Sequence, residues 1–311
     1  MLFLFIKKNN PRRLRKRWRD ESIVIIEDPE FLDEIDELLS SDFSKDSNLT
    51  IVNSDASVSD KVGVLAFSFN ADTVHSPQIS ATHTVTIPEL YEVMTGKSVI
   101  SSDYPILVGS KTFYPEKFIR RMVNIIMAAF GLVVTLPFWP ILMLIIWLED
   151  FNNPFFIQSR VGKNGRVFKL VKFRTMRVSK PSLDDIDWNR TELPKSDKAR
   201  LTVAGNFLRR SRLDELPQLL NIIKGDMNAV GPRAEMPEAR TVRNKMIPGY
   251  DYRLSVRPGM AGWGMMHKYD DLKEKFQYDL YYIKYRSIRF DIYIVLETAR
   301  RILKDLIWRK S

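Results

Sequence analysis

At 311 residues the chain has room for one large domain or two modest ones. It has no cysteine, which excludes disulfides, a thiolate metal site and a cysteine nucleophile, and its three histidines (His75, His83, His267) are too scattered to suggest a zinc site. A formal charge of +10 points to an anionic partner: nucleic acid, anionic lipid or a phosphorylated substrate.

MLFLFI at 1–6 is apolar but too short for a signal-peptide core or a spanning helix. Eight of residues 7–19 are Lys or Arg. The stretch reads as a membrane-proximal arm that seeks anionic lipid, or equally as a disordered basic tail. From about 21 to 112 the chain resembles a small soluble α/β unit. SIVIIE at 22–27, then TIVNS, KVGVLAFSF and ATHTV, read as strands; 29–40 and 87–96 read as helices, the second ending at Gly96. No glycine-rich strand-to-helix turn is present, so the dinucleotide-binding fingerprint is absent.

Residues 122–148 contain no charged side chain. As one straight helix they would reach roughly 40 Å, enough to cross a bilayer with tilt. Pro137 and Pro140 interrupt that helix near its middle. Arg120 and Arg121 favour a cytoplasmic N-terminal flank. A segment that enters and returns needs partners for the backbone groups freed at the break; Asn124 and Thr135 are candidates.

Asn164-Gly165 signals a hairpin within 153–178. Lys172 and Arg174 stand two apart, on one face if the chain is extended, a spacing suited to a diphosphate or to a solvated basic face. Residues 179–196 read as a polar surface loop. Asp214 and Glu215 follow Arg209, Arg210 and Arg212 and precede an apolar helical run from Pro217 to Lys224, with Gly225 as its stop. At or before a helix N-terminus a carboxylate stays ionised and can serve as nucleophile, base or metal ligand; alternatively Asp214 caps the helix and Glu215 is solvated. Gly259 and Gly262 suggest tight turns, Trp263 a lipid- or base-contacting surface, and His267 an ordinary polar residue. The tail closes in an amphipathic helix with Phe290, Ile294, Val295, Thr298, Ile302 and Leu306 on one face. That face suits either the membrane interface or the protein's own core.

Three separated motifs now stand in order after an apolar segment. They are Gln158, Arg160, Gly162, Gly165, Phe168 with Lys172-Phe173-Arg174-Thr175-Met176; LDELPQLLNIIKGDM followed by VGPR; and VRPGMAGWG. Together they resemble the bacterial polyprenyl-phosphate phosphoglycosyl transferases, the sugar transferases that initiate capsule, O-antigen and exopolysaccharide synthesis. ELYEVMTGKSVI resembles the end of the Rossmann-like regulatory domain in longer family members. Ala234 replaces the proline that usually follows Gly-Pro-Arg, and Met265-Met266-His267-Lys268 departs from the family's Gln-Val-Asn-Gly type of stretch.

The resemblance implies an α/β protein whose re-entrant membrane helix and amphipathic interfacial helices surround a small α/β catalytic domain. It divides the chain into a basic arm (1–20), a partial Rossmann-like α/β domain (21–112), the re-entrant helix (113–150) and the catalytic domain (151–311). Asp214 is implied as the covalent nucleophile with Glu215 as its partner, both as ligands of Mg²⁺, and Lys172, Arg174, Arg209, Arg233 and Arg257 as substrate-binding residues. The implied partners are a UDP-sugar donor, undecaprenyl phosphate and membrane lipid at the cytoplasmic face of a bacterial inner membrane, with homo-oligomerisation left open. A non-catalytic membrane-anchored assembly or regulatory protein is the alternative. A nucleic-acid-binding protein would leave residues 122–148 without a purpose.

Overall fold

The computed structural model describes residues 22–26, 48–52, 62–67, 81–99, 114–177, 200–269 and 271–308. The basic arm, the helix expected at 29–40 and the loop expected at 179–196 lie outside the described residues. The chain divides into two compact units, Met1–Pro105 and Ile106–Ser311.

The first unit is built on four strands, β1 (Ser22–Ile26), β2 (Asn48–Val52), β3 (Val62–Phe67) and β4 (Ala81–Thr86). They form one parallel sheet in the order β2-β1-β3-β4. The Val- and Ile-rich strand β1 has the near-continuous apolar character of a parallel strand. Helix α1 (Ile87–Thr95) follows, and Gly96, at φ +73°, closes it where the sequence placed the stop.

The second unit opens with helix α2 (Tyr114–Thr135), a 3₁₀ turn at Leu136–Phe138 and helix α3 (Trp139–Asp150). The interruption falls at Pro137, where proline removes a ladder donor. Thr135 Oγ1 donates to the Gly131 carbonyl at 2.7 Å just before the break. Asn124 serves elsewhere: it accepts from the Ala229 N–H at 2.5 Å and donates to the Arg120 carbonyl.

This segment touches the rest of its unit from one end to the other. Arg121 donates to the Ile222 and Ile223 carbonyls, Ala128 packs with Leu170 and Ile222, and Gly131 lies against Leu219. Trp139 and Ile146 share a cluster with Phe173 and Leu208; Glu149 accepts from the Ala204 N–H, and Asp150 grips Arg174. The opposite face is bare. Phe130 is 71% exposed, Val133 74% and Ile141 59%, too much contiguous apolar surface for water.

Strands β5 (Phe155–Val161) and β6 (Val167–Phe173) form the expected hairpin. Asn164 and Gly165 both take positive φ at its tip, which is why that pair marks the turn. Next come α4 (Val203–Ser211), a 3₁₀ turn at Leu213–Glu215, α5 (Gln218–Lys224), β7 (Asn228–Val230) and α6 (Pro237–Met246). A 3₁₀ stretch at Tyr250–Ser255, β8 (Gly259–Ala261), α7 (Trp263–Met266), α8 (Leu272–Tyr285) and α9 (Ile288–Trp308) complete the unit.

Parallel strands β7 and β8 approach so closely that a Cβ on Gly259 would fall onto the Gly231 nitrogen, and one on Gly262 onto the Gly231 carbonyl. The first half of α9 packs on the unit's own core through Phe290, Ile294 and Val295. Its second half exposes Leu303 and Ile307. Trp263, expected at a binding surface, is half-buried and packs among His267, Tyr281 and Phe290. His267 stacks on Tyr278 and bonds the Trp263 carbonyl, a structural role.

Gly259→Ala should lower the unfolding temperature of detergent-solubilised protein more than Gly165→Ala. The first has backbone atoms in the way; the second has open space and only its positive φ to oppose it, about 1 kcal/mol. Equal shifts would contradict the close approach of β7 and β8.

Candidate active site

Thr202 starts the local geometry by accepting from the Gly205 N–H at 3.0 Å, which caps α4. That helix ends at Arg212, a non-glycine residue in the left-handed region at φ +59°. The reversal turns the next residues inward, and Asp214 and Glu215 become 5% and 7% exposed. They lie in the 3₁₀ turn, one step before α5 rather than in its first turn. Gly225, at φ +99°, ends α5 as its position predicted.

Two adjacent carboxylates out of water need cations. Glu215 Oε1 accepts from Arg212 Nη1 at 3.1 Å and lies 3.5 Å from Arg233 Nη1. Asp214 feels Lys172, Arg209 and Arg212, each favouring its charged form. Burial and neighbouring Glu215 outweigh them and push its carboxyl up to about 6. Asp214 therefore stays anionic at neutral pH, at a site just before the helix, but is more basic than an ordinary aspartate.

Lys172, at the end of β6, shows the mirror effect. Burial, then Arg209, bring its ammonium down to about 8, while Asp214 pulls the other way. Its ammonium lies over the Phe156 ring, 5.1 Å from the centroid. Arg209 reaches across from α4 and donates to Thr175 Oγ1 at 2.9 Å.

Two of the expected substrate-binding cations hydrogen-bond other parts of the unit. Arg174 is 7% exposed and forks onto Asp150, with Nη1–Oδ2 at 2.7 Å and a further bond to the Asn152 carbonyl. Arg257 donates through Nε to the Gly225 carbonyl at 2.8 Å, at the end of α5 away from the acids. Two contributors were missed. Arg212, three residues before Glu215, had the spacing of a local ion pair. Arg160 bears electrostatically on Lys172 and Arg233, and its only sequence signal was its place in the hairpin motif.

Arg233 stands on a turn held at every carbonyl. Pro232 O accepts from the Gly259 N–H at 3.0 Å and Arg233 O from Arg253 Nη2 at 3.1 Å. Ala234 O accepts from Arg160 Nη1 at 3.0 Å and Glu235 O from the Val161 N–H at 2.8 Å. Behind the turn lies a buried ionic cluster. Glu235 Oε1 meets Arg243 at 2.6 Å, Arg253 at 2.7 Å and the Tyr250 hydroxyl at 2.5 Å, and Arg253 Nε meets Asp279 Oδ2 at 2.9 Å.

Residues 115–305 match the family described as bacterial sugar transferase, and the chain belongs to that family. It is 35% identical over 226 residues to a UDP-N-acetylgalactosamine-undecaprenyl-phosphate N-acetylgalactosaminephosphotransferase of Aeromonas hydrophila, covering 70% of this chain and 51% of that protein. It is 36% identical over 201 residues to a UDP-glucose:undecaprenyl-phosphate glucose-1-phosphate transferase of Xanthomonas campestris pv. campestris, covering 61% and 39%. With the exopolysaccharide production protein ExoY of Sinorhizobium fredii it shares 33% identity over 192 residues, covering 58% and 83%. The match thus spans about half or less of the first two relatives.

The cluster makes stability acid-sensitive. Burial raises the Glu235 carboxyl, but Arg253, Lys275 and Arg243 together outweigh it and hold it at about 2. A free glutamate titrates near ~4.3, so the unfolded chain binds more protons as pH falls between the two values, and stability falls with it. Glu235→Gln should flatten that part of the curve of unfolding temperature against pH. An unchanged slope would contradict the paired carboxylate.

Proposed function

We propose that the chain is a monotopic phosphoglycosyl transferase that moves a sugar 1-phosphate from a UDP-sugar to undecaprenyl phosphate and releases UMP. The observation that carries this reading is a buried Asp214 beside Glu215, ringed by Lys172, Arg209, Arg212 and Arg233, in a chain of the bacterial sugar transferase family. The printed names of the relatives supply the donor and acceptor classes.

Asp214 acts as the nucleophile. One Oδ bonds to the β-phosphorus of the donor while the bond from that phosphorus to the bridging oxygen breaks, and UMP leaves with the electron pair. A phosphate oxygen of the polyprenyl acceptor then attacks the same phosphorus, and the Asp214 oxygen departs. The exchange is ping-pong. Lys172 and Arg209 neutralise the diphosphate, and Arg233, shared with Glu215, holds a phosphate oxygen. The raised basicity of Asp214 strengthens it as a nucleophile. Arg174 and Arg257, committed to Asp150 and Gly225, act as structural cations.

Asp214 and Glu215 would also hold Mg²⁺. Among the described residues no third acid or histidine joins them in a metal-binding group. Two carboxylates fit an ion that takes one or two from protein and fills its shell with phosphate oxygens and water. When bound, it supplies further neutralisation of the phosphate charge.

The apolar segment is re-entrant in this reading. A straight helix from Arg121 to Asp150 would be about 44 Å long. Both ends nevertheless contact one compact unit, with a proline break between them. Val203 and Phe207 of α4 and Ile292 and Leu296 of α9 extend the exposed apolar surface that lipid would cover. The active unit then lies on the cytoplasmic face of a bacterial inner membrane, where it begins a surface polysaccharide. The parallel sheet of the first unit, in the order β2-β1-β3-β4, is compatible with part of a doubly wound α/β domain, its order being that of flavodoxin-like sheets.

Protein in lipid nanodiscs, given undecaprenyl phosphate, Mg²⁺ and a panel of UDP-sugars, should release UMP with at least one donor. Asp214→Asn should abolish release. Arg233→Ala should lower kcat/KM by about 10–100-fold, or ~1.4–2.7 kcal/mol, whereas Arg257→Ala should stay within about threefold once corrected for folded protein. Undiminished release by Asp214→Asn would sink the proposal.

A further inference from the structure

Arg233 has a half-exposed side chain, and its guanidinium meets Glu215 at 3.5 Å and Met265 Sδ at 3.6 Å. Two such contacts do not fix a long, rotamer-rich side chain, so its aim depends on the backbone beneath it. That backbone is gripped from behind. Arg253, 6% exposed, places Nη2 on the Arg233 carbonyl, Nε on Asp279, and Nη1 on Glu235 and the Tyr250 hydroxyl.

Asp279 is 2% exposed and abuts α7 as well, since a Cβ on Gly264 would meet its Oδ1. One planar fork thus spans the Arg233 turn, α8 and the 3₁₀ stretch at Tyr250–Ser255. Stability is a weak reason for such a cluster. Buried ion pairs lose in desolvation much of what they gain in attraction, and apolar residues of similar volume often serve as well. A fork that must reach four acceptors in fixed directions is, by contrast, something only arginine supplies.

We propose that Arg253 is a positioning residue for phosphosugar transfer: anchored on Asp279 and Glu235, it holds the Arg233 carbonyl and so aims the Arg233 guanidinium at Glu215 and the reacting phosphate. The role rests on the phosphoglycosyl-transfer reading. A lysine at 253 keeps the charge but offers one compact ammonium that cannot span the four partners.

The test is a double-mutant cycle on UMP release, normalised to folded protein, with Arg253→Lys, Arg233→Ala and both together. Arg253→Lys should lower kcat about 10–100-fold with KM for the UDP-sugar within about threefold, and should lower kcat less than about threefold when Arg233 is already alanine. Equal losses in both backgrounds, or no loss in the native one, would overturn the role. Should Arg253→Lys not fold, Asp279→Asn, nearly isosteric, tests the same anchor by the same cycle and the same two outcomes. A native protein that releases no UMP would instead overturn the phosphoglycosyl-transfer reading, and this role with it.

Discussion

Two carboxylates side by side, both withdrawn from water, are unstable unless cations surround them. That constraint organises the second unit. Lys172 comes from the end of a strand, Arg209 from the last turn of a helix, Arg212 from a left-handed residue, and Arg233 from a clamped turn. No single element could deliver four cations to one point. The hairpin, α4 and the turn after β7 must all be in register before Asp214 can be buried as an anion. The residual mismatch, a carboxyl pushed up to about 6 beside an ammonium brought down to about 8, reflects burial that the charges do not fully offset. Groups left partly unbalanced in this way cluster at functional sites.

The membrane-like segment and the ionic cluster both brace that arrangement. Helices α2 and α3 press on α5 and on the hairpin through Ala128, Gly131 and Trp139, so the apolar segment forms one wall of the unit that carries the acids. Glu235, Arg253 and Asp279 fix the turn that bears Arg233. Asn124 shows how closely the two are joined. It sits in the apolar segment, yet its side chain bonds the backbone of Ala229, in the strand that leads to the Arg233 turn.

Where an arrangement depends on neighbours in sequence, it was legible. The hairpin tip at Asn164-Gly165, the helix stop at Gly225, the break at Pro137 and the close glycines at 259 and 262 each follow from backbone preferences of one or two residues. Partners distant in sequence were not legible. Arg174 matched a motif of substrate cations, but the end of α3 brings it Asp150. Arg257 likewise finds the carbonyl of Gly225. The buried cluster gave no signal because its charges are scattered over the turn that carries Arg233, α6, a 3₁₀ stretch and α8 and read individually as solvated. Arg212 could have been found from its spacing to Glu215, but the left-handed backbone that makes the spacing work has no side-chain signature in an arginine.

The central claim is that Asp214 bonds covalently to the transferred phosphosugar. Incubating membrane-embedded protein with its UDP-sugar and Mg²⁺, with no polyprenyl acceptor, should add the mass of one sugar phosphate to the intact chain. Peptide mapping should locate the addition on Asp214, and added undecaprenyl phosphate should discharge it. Full turnover without any adduct, or an adduct that persists in Asp214→Asn, would contradict the account.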